Sequence, residues 1–139
     1  MYKLWLTSIA LLSATTVIAA EEFDGSKPMA CLPSQGHDCL PTENTCKPLQ
    51  PERGKDLRLH FDVAQKSVRT PYRNELLPIQ SLGANAESLV LQGTTLQLVW
   101  SATINRSTGR LTVAIADREG AYVIFGQCSL VNAVSPPQT

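Results

Sequence analysis

Four cysteines constrain this chain more than any other feature. Three lie close together, Cys31, Cys39 and Cys46, and the fourth stands far downstream at Cys128. In an oxidising compartment an even set in a small chain reads as two disulfides. Three pairings are possible and spacing does not choose among them. Every complete pairing ties Cys128 to one of the N-terminal three, so the end of the chain must return to its beginning. Such a bridge closes a loop of roughly 80–100 residues, which contributes on the order of 4 kcal/mol in the chain-entropy description. The competing reading is a metal site built from Cys31, His37, Cys39 and Cys46. Structural zinc favours cysteines two to four residues apart, whereas 7 and 6 residues separate these. No metal and no other cofactor is expected, and an even set leaves no free thiol for catalysis.

The oxidising compartment is itself expected from the first twenty residues. Lys3 precedes the apolar run Leu4–Leu12, and small or β-branched residues at Val17, Ile18, Ala19 and Ala20 fit a signal peptidase site before Glu21. The stretch from Leu4 to Ala20 is short for a membrane span and is interrupted by Ser and Thr. Cys31 lies ten residues past it, without a lipid-attachment motif. Periplasmic or secreted localisation is expected, with no stable membrane insertion after cleavage. Removing twenty of the 139 residues leaves 119, enough for one modest core that gains from covalent help.

Residues 21–56 carry five of the nine prolines and three cysteines without apolar periodicity. They are expected to form an irregular arm pinned by disulfides. From 57 to 139 the period becomes two. Leu57, Leu59, Phe61 and Val63 alternate with polar residues, and a turn near 64–66 leads to Val68 and Thr70. A short helix is expected around Pro71–Leu77, an edge strand over 76–82, and a turn at Gly93 after Leu89–Leu91. Leu96, Leu98, Trp100, Ala102 and Ile104 form the inward set of a strand. Asn105-Arg106-Ser107-Thr108-Gly109 turns it back into Leu111, Val113 and Ile115, and Asp117–Gly120 makes a second turn. The last strand, 121–131, is apolar on both faces and belongs in the sheet centre. The fold class is therefore all-β, six or seven antiparallel strands in meander order curling into a small sandwich or barrel.

Chemistry-bearing motifs are sparse. The chain has no G-x-S-x-G, H-E-x-x-H, Walker or G-x-G-x-x-G pattern. Of its two histidines, His37 lies in the arm and His60 on an outward strand position between Arg58 and Asp62. A non-enzymatic protein is expected. Charge falls in blocks: −4 over residues 21–46, +4 over 47–73 and −1 over 74–139, with Lys3 bringing the sum to zero. The zero net charge speaks against a nucleic-acid partner. The basic block either lies against the acidic arm, stands in solvent, or docks an anionic partner. In the last case Arg69, Tyr72 and Arg73, with Arg106 at the hairpin tip, are the candidate binding residues.

Phe61-Asp62, Lys66, Val68, Ile79, Trp100-Ser101-Ala102, Ile104-Asn105-Arg106-Ser107-Thr108-Gly109-Arg110-Leu111 and Gly126-Gln127-Cys128 together resemble a pattern of small exported bacterial β-proteins of unassigned function. There an I-[DN]-R-x-T-G-x-L hairpin precedes a terminal G-x-C. The resemblance covers roughly the last 70 residues and implies fold and export, with no activity attached. A looser resemblance is to periplasmic lysozyme inhibitors, small disulfide-tied β-barrels. Their Ser-Gly-x-x-Tyr loop has only Ser81-Leu82-Gly83-Ala84 here. The expected function is binding of an envelope or extracellular partner, a protein or an anionic polymer. The alternative is an inhibitor of a hydrolase such as a lysozyme or protease.

Overall fold

The computed structural model describes residues 22–132, so the expected signal segment 1–20 lies outside the described residues. Ten strands form one antiparallel sheet: β1 Met29–Cys39, β2 Lys47–Pro48, β3 Leu59–Asp62, β4 Ser67–Arg69, β5 Leu76–Pro78, β6 Ser81–Ala84, β7 Ser88–Thr94, β8 Leu98–Asn105, β9 Arg110–Asp117 and β10 Ala121–Leu130. No helix occurs among the described residues, and none is therefore long and apolar enough to cross a membrane. The strand order is β5-β4-β3-β1-β10-β9-β8-β7-β6, with β2 paired separately to β1. It is not a simple meander, because β1 enters between β3 and β10.

The two edge strands, β5 and β6, are one stretch of chain. At the corner between them, the Ile79 amide donates to Lys66 O at 2.8 Å and the Gln80 amide to Gln92 O at 2.9 Å. One residue thus continues the β4 ladder and the next the β7 ladder. The sheet curls far enough for a single corner to touch both sides. Phe61 of β3 and Trp100 of β8, four steps apart in strand order, meet across the interior with ring centroids 6.5 Å apart. Met29, Leu89, Leu91, Ile104, Leu111 and Val113 are buried with them in the same core. Burial of such a set is the main driving force for the curl.

Cys31 pairs with Cys128, joining residues 97 apart, and Cys39 pairs with Cys46. The first bridge is buried and lies directly across the β1–β10 ladder, where the two cysteines are partners. The return of the chain end to its beginning is thus a neighbouring-strand contact, and β10 is central as expected.

Several local expectations give way. Residues 29–39 form a long inner strand, while residues 40–56 are irregular apart from β2. Proline is tolerated in β1 because the register shifts between Pro33 and Gln35, breaking the ladder where Pro33 has no N–H to give. Opposite it, Gly126 is required: a Cβ there would lie 2.6 Å from Leu32 O and 3.1 Å from Pro33 Cα. The helix expected over 71–77 is a turn, with Tyr72 and Asn74 both left-handed at φ 62° and 56°. Gly93 lies within β7, and Leu96, expected inside, sits fully exposed in the β7–β8 turn. The 105–109 and 117–120 turns form as expected. Asn105 Oδ1 accepts from the amides of Ser107 and Thr108, and Asp117 Oδ1 from those of Glu119 and Gly120.

Candidate functional site

Of the four residues expected to bind, the structure brings three together. Arg69 ends β4, and the turn that follows is closed by the Thr70 amide donating to Glu75 O at 2.8 Å. The Thr70 hydroxyl donates to Glu75 O and accepts from the Glu75 amide, so it serves the turn. Arg69 Nη1 reaches Asn74 O and Oδ1 at 3.4 Å, and Arg73 Nη1 stands 3.9 Å from Glu75 Oε1. Tyr72 projects from this turn with 44% of its surface exposed. Its hydroxyl accepts a long bond, 3.4 Å, from the Glu52 amide in the arm. A left-handed backbone is costly for a bulky residue.

Arg106 lies elsewhere and is engaged. Its Nη2 is 2.7 Å from Glu22 Oε1, Nη1 donates to Asn85 O, and its backbone carbonyl accepts from the Phe23 amide at 2.9 Å. Phe23 packs over Gly109, where φ is 72° and a Cβ would lie 2.6 Å from Phe23 Cζ. Arg106 therefore clasps the start of the arm to the hairpin. This ion pair lies outside the basic block. Within that block three of the seven cations are met locally, by Glu43 for Lys47, Asp56 for Arg58 and Glu75 for Arg73.

Two concavities meet at Tyr72. The first, about 280 Å³, is an apolar groove between the β1 bulge, the arm at 49–52 and Pro71-Tyr72, with Leu49, Leu59 and Ile124 among its walls. Leu49 is held by its amide donating to Gly36 O at 2.8 Å, and a Cβ on Gly36 would lie 2.9 Å from Leu49 Cδ1. The second, about 170 Å³, is a polar hollow lined by Lys55, Asp56, Arg58, His60, Thr70 and Asn74, with Pro71 and Tyr72 common to both. In it Asp56 lies 3.4 Å from Arg58 Nη1 and 3.9 Å from His60 Nε2, all three solvent-exposed. A larger open trough, about 490 Å³, crosses β6 to β10 and carries no ionisable side chain except Tyr122. The nearby Asp38 carboxylate, burial, and then Asp117 and Glu119 hold the Tyr122 phenol above its ordinary range, so at neutral pH it is a hydrogen-bond donor.

The groove was not legible in the sequence, because its walls come from residues 33–36, 49–52, 57, 59, 71–72 and 124. The positive block containing Lys55 and Arg58 was the one signal pointing there. Among the described residues no group of three or more His, Cys, Asp or Glu side chains is placed to hold a metal ion. No family model, curated protein or solved structure matches the chain.

Proposed function

We propose that this is an exported, non-enzymatic binding domain that grips an envelope or extracellular partner, a protein or an anionic polymer, through the face around Tyr72. The observation that carries the reading is Tyr72 itself. A bulky residue in a left-handed backbone, half exposed and shared by an apolar groove and a basic hollow, has the form of an interface anchor. The only histidine at this face, His60, has an exposed aspartate beside it, and the nearby Thr70 hydroxyl is committed to its turn. Binding accounts for these groups better than nucleophilic catalysis does. Export is supported by the two disulfides and the signal-like leader.

The test is a photo-crosslinking amino acid placed at position 72 in cells, with position 96 as control. Leu96 is as exposed as a residue can be and lies in a different turn. The reading expects one specific adduct from 72, none from 96, a mature chain beginning at Glu21 and no free thiol. Equal crosslinking from both positions would refute it. The second reading, a hydrolase inhibitor, draws on the same projecting 69–75 turn and the disulfide-braced scaffold. It requires stoichiometric inhibition of some member of a lysozyme and protease panel, and loss of that inhibition when the turn is altered.

A further inference from the structure

We infer that the ligand of the Tyr72 face is an extended acidic peptide segment. It places a bulky apolar side chain in the groove and a neighbouring carboxylate over Lys55 and Arg58. The inference rests on the binding reading above and specifies its ligand class.

Three observations converge. The first is adjacency: Pro71 and Tyr72 line both concavities, so an apolar anchor and a charged group are separated by the width of one side chain. Residues i and i+2 of an extended chain, which share a face about 7 Å apart, have that spacing.

The second is charge. Among the described residues Lys55 has no ion-pair partner, and Asp56 is the one carboxylate lining the hollow, against the cations of Lys55 and Arg58. Just beyond stand Arg69, which reaches Asn74, and Arg73, which is faced by Glu75. The unmatched positive charge calls for an anion, and complementarity of this kind sets specificity and association rate.

The third is the open backbone of β1. On the side away from β10, β3 covers Met29–Cys31 and β2 covers only His37 and Asp38. Residues 32–36 lie between with no strand against that edge; Gly36 O is taken by the Leu49 amide, and 33–36 line the groove. Backbone groups of successive strand residues face opposite edges, so those of this stretch not turned to β10 face the gap. A peptide laid along this gap can exchange main-chain hydrogen bonds as an added strand does. A hydrocarbon chain in the same place would leave those groups and the Gln50 side chain dry and unpaired. The wall chemistry thus favours a polyamide over a lipid.

The experiment uses the mature, disulfide-intact protein to pan a displayed library of linear peptides. The strongest binder is then made synthetically and its affinity measured by calorimetry. Recovered sequences are expected to share a large apolar residue two positions from an Asp or Glu, and binding should weaken as salt is raised. The double variant Lys55→Glu, Arg58→Glu should bind about tenfold more weakly. Tyr72→Gly, which suits the left-handed backbone and removes the ring, should do the same with no loss in melting temperature. Neutral or basic consensus sequences, an affinity indifferent to the charge reversal, or no binders at all would overturn the inference. So would Tyr72-dependent binding to phosphatidylglycerol–phosphatidylcholine vesicles in preference to peptides. Each of these leaves the broader reading standing if position 72 still crosslinks a partner in cells. Failure of that crosslink removes the binding reading itself.

Discussion

Replacing Gly93 by alanine tests the curled sheet at its tightest point. Gly93 sits in β7 opposite Trp100, and its backbone is not left-handed, so alanine is conformationally acceptable. Space is what it lacks. An added Cβ would stand 2.5 Å from Pro78 O, 2.6 Å from Trp100 Nε1 and 2.7 Å from Trp100 Cε2. Pro78 belongs to β5 and Trp100 to β8, so the methyl group would press the two ends of the sheet apart. One obstacle is backbone and the other a buried indole, and neither yields as a flexible side chain would. Overpacking of this kind costs about 1–3 kcal/mol. At about 4 °C per kcal/mol for a domain near this size, melting should fall by about 4–12 °C. Gly83 provides the control. It lies in β6 with the nearest atom to a new Cβ, Val90 Cβ, at an ordinary 3.9 Å. Gly83→Ala should be neutral or stabilising by up to about 1 kcal/mol through loss of unfolded-state freedom. The assay is urea unfolding followed by tryptophan emission on a chain expressed from Glu21, in which Trp100 is the sole tryptophan. Gly93→Ala should also shift the native emission to the red as the indole is displaced. If the two variants unfold within about 0.5 kcal/mol of each other, or the native emission is unchanged, the corner is not packed as described.

The two disulfides should contribute unequally. Replacing Cys31 and Cys128 by serine releases a loop spanning 97 positions and should cost about 4–5 kcal/mol, against about 2 for Cys39 and Cys46, 7 apart, as measured by denaturant titration. Arg106→Ala removes the ion pair to Glu22 and the bond to Asn85 O, and should cost about 1–2 kcal/mol while exposing residues 22–27 to proteolysis. Tyr122 should titrate above the free phenol when followed by ultraviolet absorbance, and Asp38→Asn, which removes its nearest negative charge, should bring it down. Because the folded state holds that proton more tightly, stability is full below the ordinary value of 10.0 and falls as pH rises through the raised one. Tyr122→Phe should therefore flatten the alkaline loss in melting temperature.

The sequence announced its local structure where one principle ruled. In the 98–117 hairpin, alternation, Asx turns and a left-handed Gly109 all agree, and β8 and β9 form as read. It misled where a local rule met a long-range exception. Pro33 argued against a strand in residues 29–39, but a bulge places it where no amide is needed, and β10 then draws β1 into the sheet. Gly93 looked like a turn because glycine usually is one; its reason is the Trp100 ring. Leu96 matched the inward parity of its strand, yet the turn claimed it. The binding face was legible only as a basic block with a tyrosine. Arg106 shared the charge but not the place, being drawn to Glu22 across the fold. Nothing local marks Leu49, Gly36 and Ile124 as neighbours, since contacts between distant segments made the groove.

The claim on which the rest depends is that the sheet curls until residues 76–84 serve both of its edges, holding the 70–75 turn and its tyrosine in place. Native-state hydrogen exchange at Ile79 and Gln80 reads this directly. Their amides bond to Lys66 O and Gln92 O, on opposite sides of the corner. Both are expected to exchange only with global unfolding, at the same free energy as the amides of β8 and β10. Exchange of either one by local opening, at the low free energy of loop amides, would mean that the edges are not joined.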